Sequence, residues 1–177
     1  PGQKVLINGA SGSMGTAAVQ LAKAFGAEVK GVCSSRNKQM VKALGADHVI
    51  AYDKVDFTKA GKTYDIIYDT VGKLSYCDCR PALTKKGSFI SPVLSFSLLI
   101  YMLVTSIFSS KKAKFSATGM LPLDKLRPLF KQLTMLFKQG KIKSVVDRSF
   151  SLAEIADAHR YVDLGHKKGN VVLSLHQ

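Results

Sequence analysis

Three glycines stand close together in Asn8-Gly9-Ala10-Ser11-Gly12-Ser13-Met14-Gly15, after the apolar run Lys4–Asn8 and before the helix-like run Thr16–Phe25. Glycine lets a backbone approach another group closely. The free N–H groups at a helix start, with the helix dipole behind them, stabilise a phosphate. Ala10-Ser11-Gly12-Ser13-Met14-Gly15 has the spacing of a dinucleotide fingerprint, with Ala at the first glycine position. On this reading Gly12 admits a pyrophosphate and Gly15 lets helix and strand pack tightly. Two rival motifs fail. A P-loop needs Lys and then Ser/Thr after its last glycine, where this chain has Thr16-Ala17. A nucleophile elbow needs glycine on both sides of a central serine, yet Gly9-Ala10-Ser11-Gly12-Ser13 ends in serine.

The end of the second strand chooses between dinucleotides. A carboxylate there bonds a ribose 2′-hydroxyl, whereas a 2′-phosphate calls for a cation. No acid lies between Glu28 and Asp47, and the segment reads Cys33-Ser34-Ser35-Arg36-Asn37-Lys38. Serine hydroxyls can donate to a phosphate and Arg36 can pair with it. NADP(H) is therefore expected over NAD(H). No pair of residues reads as a general acid and base, and His159, His166, Cys77 and Cys79 are assigned no role. No catalytic residue and no metal ligand is assigned.

These residues need a scaffold, and the pattern supplies one. Strand-like runs at Lys4–Asn8, Glu28–Cys33, His48–Tyr52, Tyr64–Asp69 and Gly87–Ser91 alternate with helix-like runs at Thr16–Phe25, Asn37–Leu44 and Leu74–Leu83, the last broken near its end by Pro81. A sixth strand is expected at Lys114–Thr118. Such alternation predicts an α/β fold of Rossmann type, a doubly wound parallel sheet with helices on both faces. Further on come a helix at Leu123–Gln139, a strand at Ser144–Asp147, a helix at Leu152–Leu164 with Ser151 and Glu154 as its capping box, and a strand at Asn170–Leu175.

With 26 Lys+Arg against 12 Asp+Glu the net charge is +14, a field that attracts anions. The lysines are scattered in sequence, as on a solvated surface, and no nucleic-acid-binding motif accompanies them, so nucleic acid is not an expected partner. Three cysteines make no disulfide framework and point to a reducing, cytoplasmic setting. Gly87–Ser110 contains no charged residue. The serines and Pro92 within it argue against a membrane span. The run reads as a helix packed in the fold or one that covers a partner surface, with a homodimer as one option. Pro1-Gly2 enters a strand at once, like the interior of a longer protein, so targeting segments are not judged.

The stretches "VLINGASGSMGTAAVQLAKAFGAEV", "KALGADHVIAY", "YDIIYDTVG", "LTKKGSFIS" and "GKIKSVVDRSFSLAEIADAHRYVDLGHKKGNVVLSL" together resemble the medium-chain dehydrogenase/reductase superfamily, in its zinc-free, quinone-oxidoreductase-like branch. The resemblance implies an NADPH-binding domain over residues 1–143. Residues 144–177 would be a segment that the family returns to a catalytic domain located upstream. It implies that Ser11, Gly12, Ser13, Met14 and Gly15 face the pyrophosphate, with Ala10 also among the cofactor-binding residues. Ser34, Ser35, Arg36 and Lys38, with Tyr52, would face the 2′-phosphate. Asp69, Thr70, Val71 and Gly72 would lie near the nicotinamide half, with Ser91 and Pro92 in the same crevice. The implied reaction is hydride transfer to a small-molecule quinone, enone or related carbonyl, with substrate contacts mostly upstream. Two alternatives stay open. One is an atypical short-chain dehydrogenase relative, although none of the six tyrosines has Lys four positions on. The other is a module that binds or senses NADPH without turnover. Without its usual partner, the segment from Ser144 can fold onto the sheet, pair between chains or expose apolar surface.

Overall fold

A computed structural model describes residues 1–59, 61–116 and 121–175. The chain runs β1 (Lys4–Asn8), α1 (Ser13–Ala24), β2 (Glu28–Cys33), α2 (Lys38–Ala43), β3 (His48–Ala51), β4 (Tyr64–Asp69), α3 (Tyr76–Cys79), β5 (Leu83–Ser91), α4 (Phe96–Phe108), β6 (Lys112–Phe115), α5 (Leu123–Lys138), β7 (Val146–Ser151), α6 (Ile155–Asp163) and β8 (Asn170–Ser174). Strands β1 to β6 form one sheet in the order β3-β2-β1-β4-β5-β6, with every neighbouring pair parallel. The direction of winding reverses between β1 and β4, which opens a crevice beyond their carboxyl ends.

Side chains of a central strand alternate between two cores. Val5, Ile7 and Val29 join Val19 and Val41 of α1 and α2 on one face. Leu6, Val32 and Ile67 join Phe89, Tyr76 and Leu98 on the other. Both faces of β1 are therefore apolar, as a buried parallel strand requires. Gly31 sits where a Cβ would come 2.6 Å from Val41 Cγ1, so glycine there lets α2 lie close on β2. Asp47 ties the layers together. Its carboxylate accepts from Lys23 Nζ of α1 at 2.8 and 2.9 Å and from the Val29 N–H of β2 at 2.7 Å.

Several boundaries differ from the sequence expectation for physical reasons. The helix expected at Leu74–Leu83 is only the short α3 followed by a 3-10 turn over Arg80–Ala82, because Pro81 prevents continuation of the α-helix. Strand β5 begins at Leu83 rather than Gly87. The polar run Thr84-Lys85-Lys86 is an irregularity within the strand: Tyr64 pairs with Leu83 and Ile66 with Ser88. Strand β6 begins at Lys112, and Thr118 of the expected strand lies outside the described residues. Helix α4 packs on β6, where Thr105 Oγ1 accepts from the Ala113 N–H. Among the described residues no helix is long and apolar enough to cross a membrane.

The last segment folds on itself and docks. Strands β7 and β8 form a separate two-stranded parallel sheet, bridged by α6. The capping box is present, with the Glu154 carboxylate accepting from the Ser151 N–H at 2.8 Å. Docking uses buried Gln20 of α1, whose amide accepts from Lys143 N and donates to Lys143 O, at 2.9 and 3.0 Å.

Two stability predictions follow from this packing. A Cβ on Gly15 would overlap Gly9 O and lie 2.7 Å from Ala10 Cα, whereas one on Gly12 meets only Gly9 O at 3.5 Å. Gly15→Ala should cost about 1–3 kcal/mol in urea denaturation, and Gly12→Ala should stay within about 0.5 kcal/mol of the parent. The hydrogen bond from Lys23, then that from Val29 N, holds the Asp47 pKa below its ordinary value. The stability this confers is present above the unfolded carboxylate value of about 3.9 and is lost as pH falls through the lower folded value. The stability gap between the parent and Asp47→Asn should therefore narrow as denaturation is followed from pH 5 down to about pH 2.5.

Candidate functional site

The positive φ that the turn after β1 requires falls on Gly9 (+76°), and among the described residues no non-glycine residue has positive φ. That explains how Ala is tolerated at position 10. Ala10 N–H donates to Val32 O at 2.9 Å and its side chain is fully buried in the core. A Cβ at Gly9 would come 2.5 Å from both Thr70 Oγ1 and Val71 Cγ2. Gly12 precedes α1 with an extended backbone, and its open side faces the crevice. The first turn of α1 carries no acid. Its N–H groups have no carbonyl one turn earlier in the helix to bond, so they are available to an anion.

The crevice at the β1/β4 reversal holds about 580 Å³ and is lined by Asn8, Gly9, Ser11, Gly12, Ser13 and Met14 on one side. Tyr52 follows β3 on one flank of β1, Thr70, Val71 and Lys73 follow β4 on the other flank, and Gly165 and Lys167 complete the lining. A smaller cavity of about 140 Å³ adjoins it through Ser11, Tyr52, Gly165 and Lys167; its other walls are Ser34, Arg36, Asn37, His166 and Lys168. That wall has three basic side chains, Arg36, Lys167 and Lys168, and no carboxylate. Asn37 is buried there. Its Nδ2 donates to Ser11 Oγ at 3.1 Å, while its Oδ1 has no hydrogen-bond partner. A buried acceptor left open costs stability unless a ligand or water donates to it. A larger groove of about 800 Å³ lies beside α1 on the sheet face, lined mainly by apolar residues such as Val5, Ile7, Ala22 and Phe25. It offers no cation to a phosphate, so the smaller pair of cavities is the better candidate.

The structure thus gathers Ser11, Gly12, Ser13, Met14, Ser34, Arg36, Tyr52, Thr70 and Val71 around one crevice. Other candidates lie beneath it or away from it. Gly15 supports the close packing of α1. Ser35 is engaged by Asp53, donating its N–H at 2.9 Å and its hydroxyl at 2.6 Å, and these bonds hold the Asp53 carboxyl below its usual value. Lys38 borders a separate surface groove with Lys42, Asp47 and His48. Asp69 is fully buried under its turn, where it accepts from Asn8 Nδ2, Val71 N and Leu74 N at 2.8 to 3.1 Å. Its carboxylate therefore organises the loop that carries Thr70, Val71 and Lys73. Gly72 and Ser91 border a small recess of about 30 Å³ next to α4, and Ser91 Oγ is bonded to Val93. Pro92 follows Ser91, outside the linings of both cavities.

Sequence reasoning assigned no part to Asn37, Lys73 or the loop 165–168. The loop enters from the far end of the chain. Gly169 N–H donates to Ser11 O at 2.8 Å, Ser13 Oγ donates to Gly169 O at 2.7 Å, and Gly12 and Gly169 form a parallel bridge. Lys167 Nζ donates to Ser13 Oγ and Gly169 O. No local pattern announces such a contact, since Ser13 and Gly169 are 156 positions apart. Burial pushes the thiols of Cys33 and Cys79 up to about 11 and about 12, which keeps them protonated. Among the described residues no group of three or more His, Cys, Asp or Glu is placed to hold a metal ion.

Known proteins share this fold. The chain is 32% identical over 177 residues to the chloroplastic quinone-oxidoreductase QR1 of Triphysaria versicolor, covering 98% of this chain and 53% of that one. It is 31% identical to a mitochondrial NAD(P)H oxidoreductase of Mus musculus, covering 98% and 48%. Among solved structures, the quinone oxidoreductase from Coxiella burnetii superposes with a TM-score of 0.81 at 29% identity, covering 99% of this chain and 53% of that one. The CurK enoyl reductase superposes with a TM-score of 0.83 at 26% identity, covering 98% and 55%. The chain spans about half the length of the curated relatives it matches. The family model described as "Zinc-binding dehydrogenase" matches residues 44–173. With that match over most of its length, the chain belongs to the zinc-binding dehydrogenase family of medium-chain dehydrogenases/reductases.

Proposed function

We propose that this chain is the NADPH-binding part of an oxidoreductase that reduces a quinone, enone or related carbonyl without zinc. Residues 1–143 would hold the cofactor, and 144–177 would link them to the part that supplies the substrate wall. The observation that carries the reading is the 140 Å³ cavity beside the crevice, with Arg36, Lys167 and Lys168 around it and no carboxylate. A 2′-phosphate fits that wall, and a bare ribose would leave the cations unused. The residues present also fit the rest of the group. Gly12 leaves open space at a helix start, and Asn37 Oδ1 is a buried acceptor positioned for a ribose hydroxyl.

A bound nicotinamide supplies the reducing equivalent as a hydride. This chain's residues bind and orient. The N–H groups at the start of α1 and Lys167 hold the diphosphate charge. Arg36 and Lys168 hold the third phosphate, and Tyr52 closes the adenosine side. Thr70 and Val71, seated on the loop that Asp69 organises, flank the nicotinamide half. The crevice contains no acid–base pair among its lining residues, so proton delivery to a reduced carbonyl is assigned to the substrate wall. The curated relatives named above are chloroplastic and mitochondrial, so the cytoplasmic expectation draws no support from them.

Calorimetric titration with NADPH and NADH tests the reading. The parent should bind NADPH more tightly. Arg36→Ala should weaken NADPH by about tenfold or more while leaving NADH nearly unchanged. Lys167→Gln should weaken both, since Lys167 borders both cavities. Gly12→Ala should lose both cofactors while keeping its fold, because its methyl group enters the space left for the diphosphate. Equal affinity of the parent for the two cofactors would remove the phosphate assignment, and absence of binding to either would remove the site.

A further inference from the structure

Loop 165–168 brings Lys167 and Lys168 to the cavity wall, and the two lysines are held differently. Lys167 Nζ donates to Ser13 Oγ and Gly169 O, so the start of α1 fixes it. Lys168 forms no ion pair among the described residues. Its place is set through its own backbone: the Lys168 N–H donates to Asp147 Oδ2 at 2.9 Å. Elsewhere the loop is gripped at its ends. The Leu164 and Gly165 N–H groups close α6 on Arg160 O and Val162 O, and the Gly169 N–H donates to Ser11 O. Gly165 and Gly169 both have positive φ, +72° and +59°. Glycine gives the chain freedom at both ends, so a bond at the middle of the loop decides where Lys168 stands.

Asp147 owes its aim to an irregularity of β7. Val146 pairs with Asn170 and Arg148 with Val171, so Asp147 is an extra residue in the ladder. A bulge of this kind re-aims a side chain, and bulges gather beside functional sites. The same Oδ2 accepts from Tyr161 Oη of α6 at 2.6 Å. Tyr161 is fixed in its turn. Its ring lies 6.1 Å from that of Phe150, and the Arg148 guanidinium carbon stands 4.3 Å from its centroid. Burial raises the Asp147 carboxyl, but the bonds from Tyr161 and the Lys168 N–H outweigh it and hold the group below its ordinary value. The carboxylate therefore stays ionised and accepts only. It joins β7, α6 and the loop, and it lies outside the linings of both cavities.

We propose that Asp147, aimed by the β7 bulge and by Tyr161, is the positioning residue that holds Lys168 at the 2′-phosphate wall and so sets the preference for NADPH over NADH. The inference rests on the cofactor reading above. It adds that Arg36 does not carry the preference alone: a loop of the tail shares it, placed by a carboxylate that does not line the site. Three roles for Asp147 differ in outcome. As a bare charge it would repel a nearby phosphate, so its removal would tighten binding. As a support for the whole tail it would matter equally to both cofactors, because Lys167 borders both cavities. As the anchor of Lys168 it matters to the 2′-phosphate, and its removal weakens binding of that phosphate alone.

Calorimetric titration of the full chain with NADPH, NADH and adenosine 2′,5′-bisphosphate separates them. Asp147→Ala should weaken NADPH and the bisphosphate by about fivefold and leave NADH within about twofold. Asp147→Asn keeps an oxygen acceptor of the same shape and should recover most of the loss. Lys168→Gln should cost about as much as Asp147→Ala. The double variant Asp147→Ala/Lys168→Gln should cost little more than either alone, because both changes take the same cation from the wall. Should Asp147→Ala fail to fold, Tyr161→Phe carries the test. It keeps the ring, removes only the hydroxyl and should weaken NADPH by about twofold to threefold with NADH unchanged. Tighter NADPH binding in Asp147→Ala overturns the proposal, as do equal losses for NADPH and NADH or additive losses in the double variant. A parent that prefers NADPH and an Asp147→Ala variant that keeps the full preference sink this inference alone. A parent that binds neither dinucleotide sinks the cofactor reading, and this inference with it.

Discussion

The crevice depends on one close approach: α1 begins directly behind the turn that ends β1, with Gly15 against the backbone of Gly9 and Ala10. A single methyl group at position 15 would push the helix away and change the aim of its first-turn N–H groups. The same turn needs a left-handed residue, which Gly9 supplies, and a small buried one, which Ala10 supplies. Thr70 and Val71 then pack over Gly9 from the β4 side, on a loop pinned by Asp69. The two walls are thus set against each other by packing and by a buried carboxylate. Neither requires the ligand to be present, which is the sense in which such a site is preorganised.

The third wall arrives by a different route. Loop 165–168 enters the site because the β7-α6-β8 unit is held by Gln20 at Lys143 and by Ser11 and Ser13 at Gly169. Ser11 and Ser13 therefore serve the tail with some atoms and the crevice with others. Docking of the tail and the proposed binding of an anion would be coupled through these residues. An anion that attracts Lys167 and Lys168 would stabilise the docked tail, and a docked tail would present both cations to the anion.

What could be read from sequence was whatever is local. The βαβ order, the close packing at Gly15 and the capping box at Ser151 are encoded within a few residues of where they act, through periodicity, a missing Cβ atom and side-chain oxygen chemistry. Arg36 is similar, since it follows β2 directly. Legibility ended where a side chain's use depends on a neighbour distant in sequence. Nothing near Ser35 says that Asp53 will take its hydroxyl, and nothing near Asp69 says that Asn8 will meet it under a turn. Asn37 looks like an ordinary helix-start residue until Ser11 is placed beside it. The β5 irregularity was misread for the same reason, because a Lys-Lys-Gly run suggests a turn unless the partner strand Tyr64–Asp69 is in view.

The charge illustrates the point on a larger scale. In sequence the lysines are dispersed, as on any solvated surface. Folding sorts a share of them to opposite ends of one parallel sheet. Arg36, Lys73, Lys167 and Lys168 collect at the carboxyl ends of the strands, around concave polar cavities. Lys85, Lys86, Lys111 and Lys112 lie toward the amino ends of β5 and β6, where Lys112 reaches the end of α4. The same cation means something different in each place. In a cavity it focuses field on one small anion and is partly shielded from salt. On an open surface its effect adds with that of its neighbours and reaches about a Debye length. A net charge of +14 is therefore best read as separate local fields that the fold creates, and not as one uniform charge.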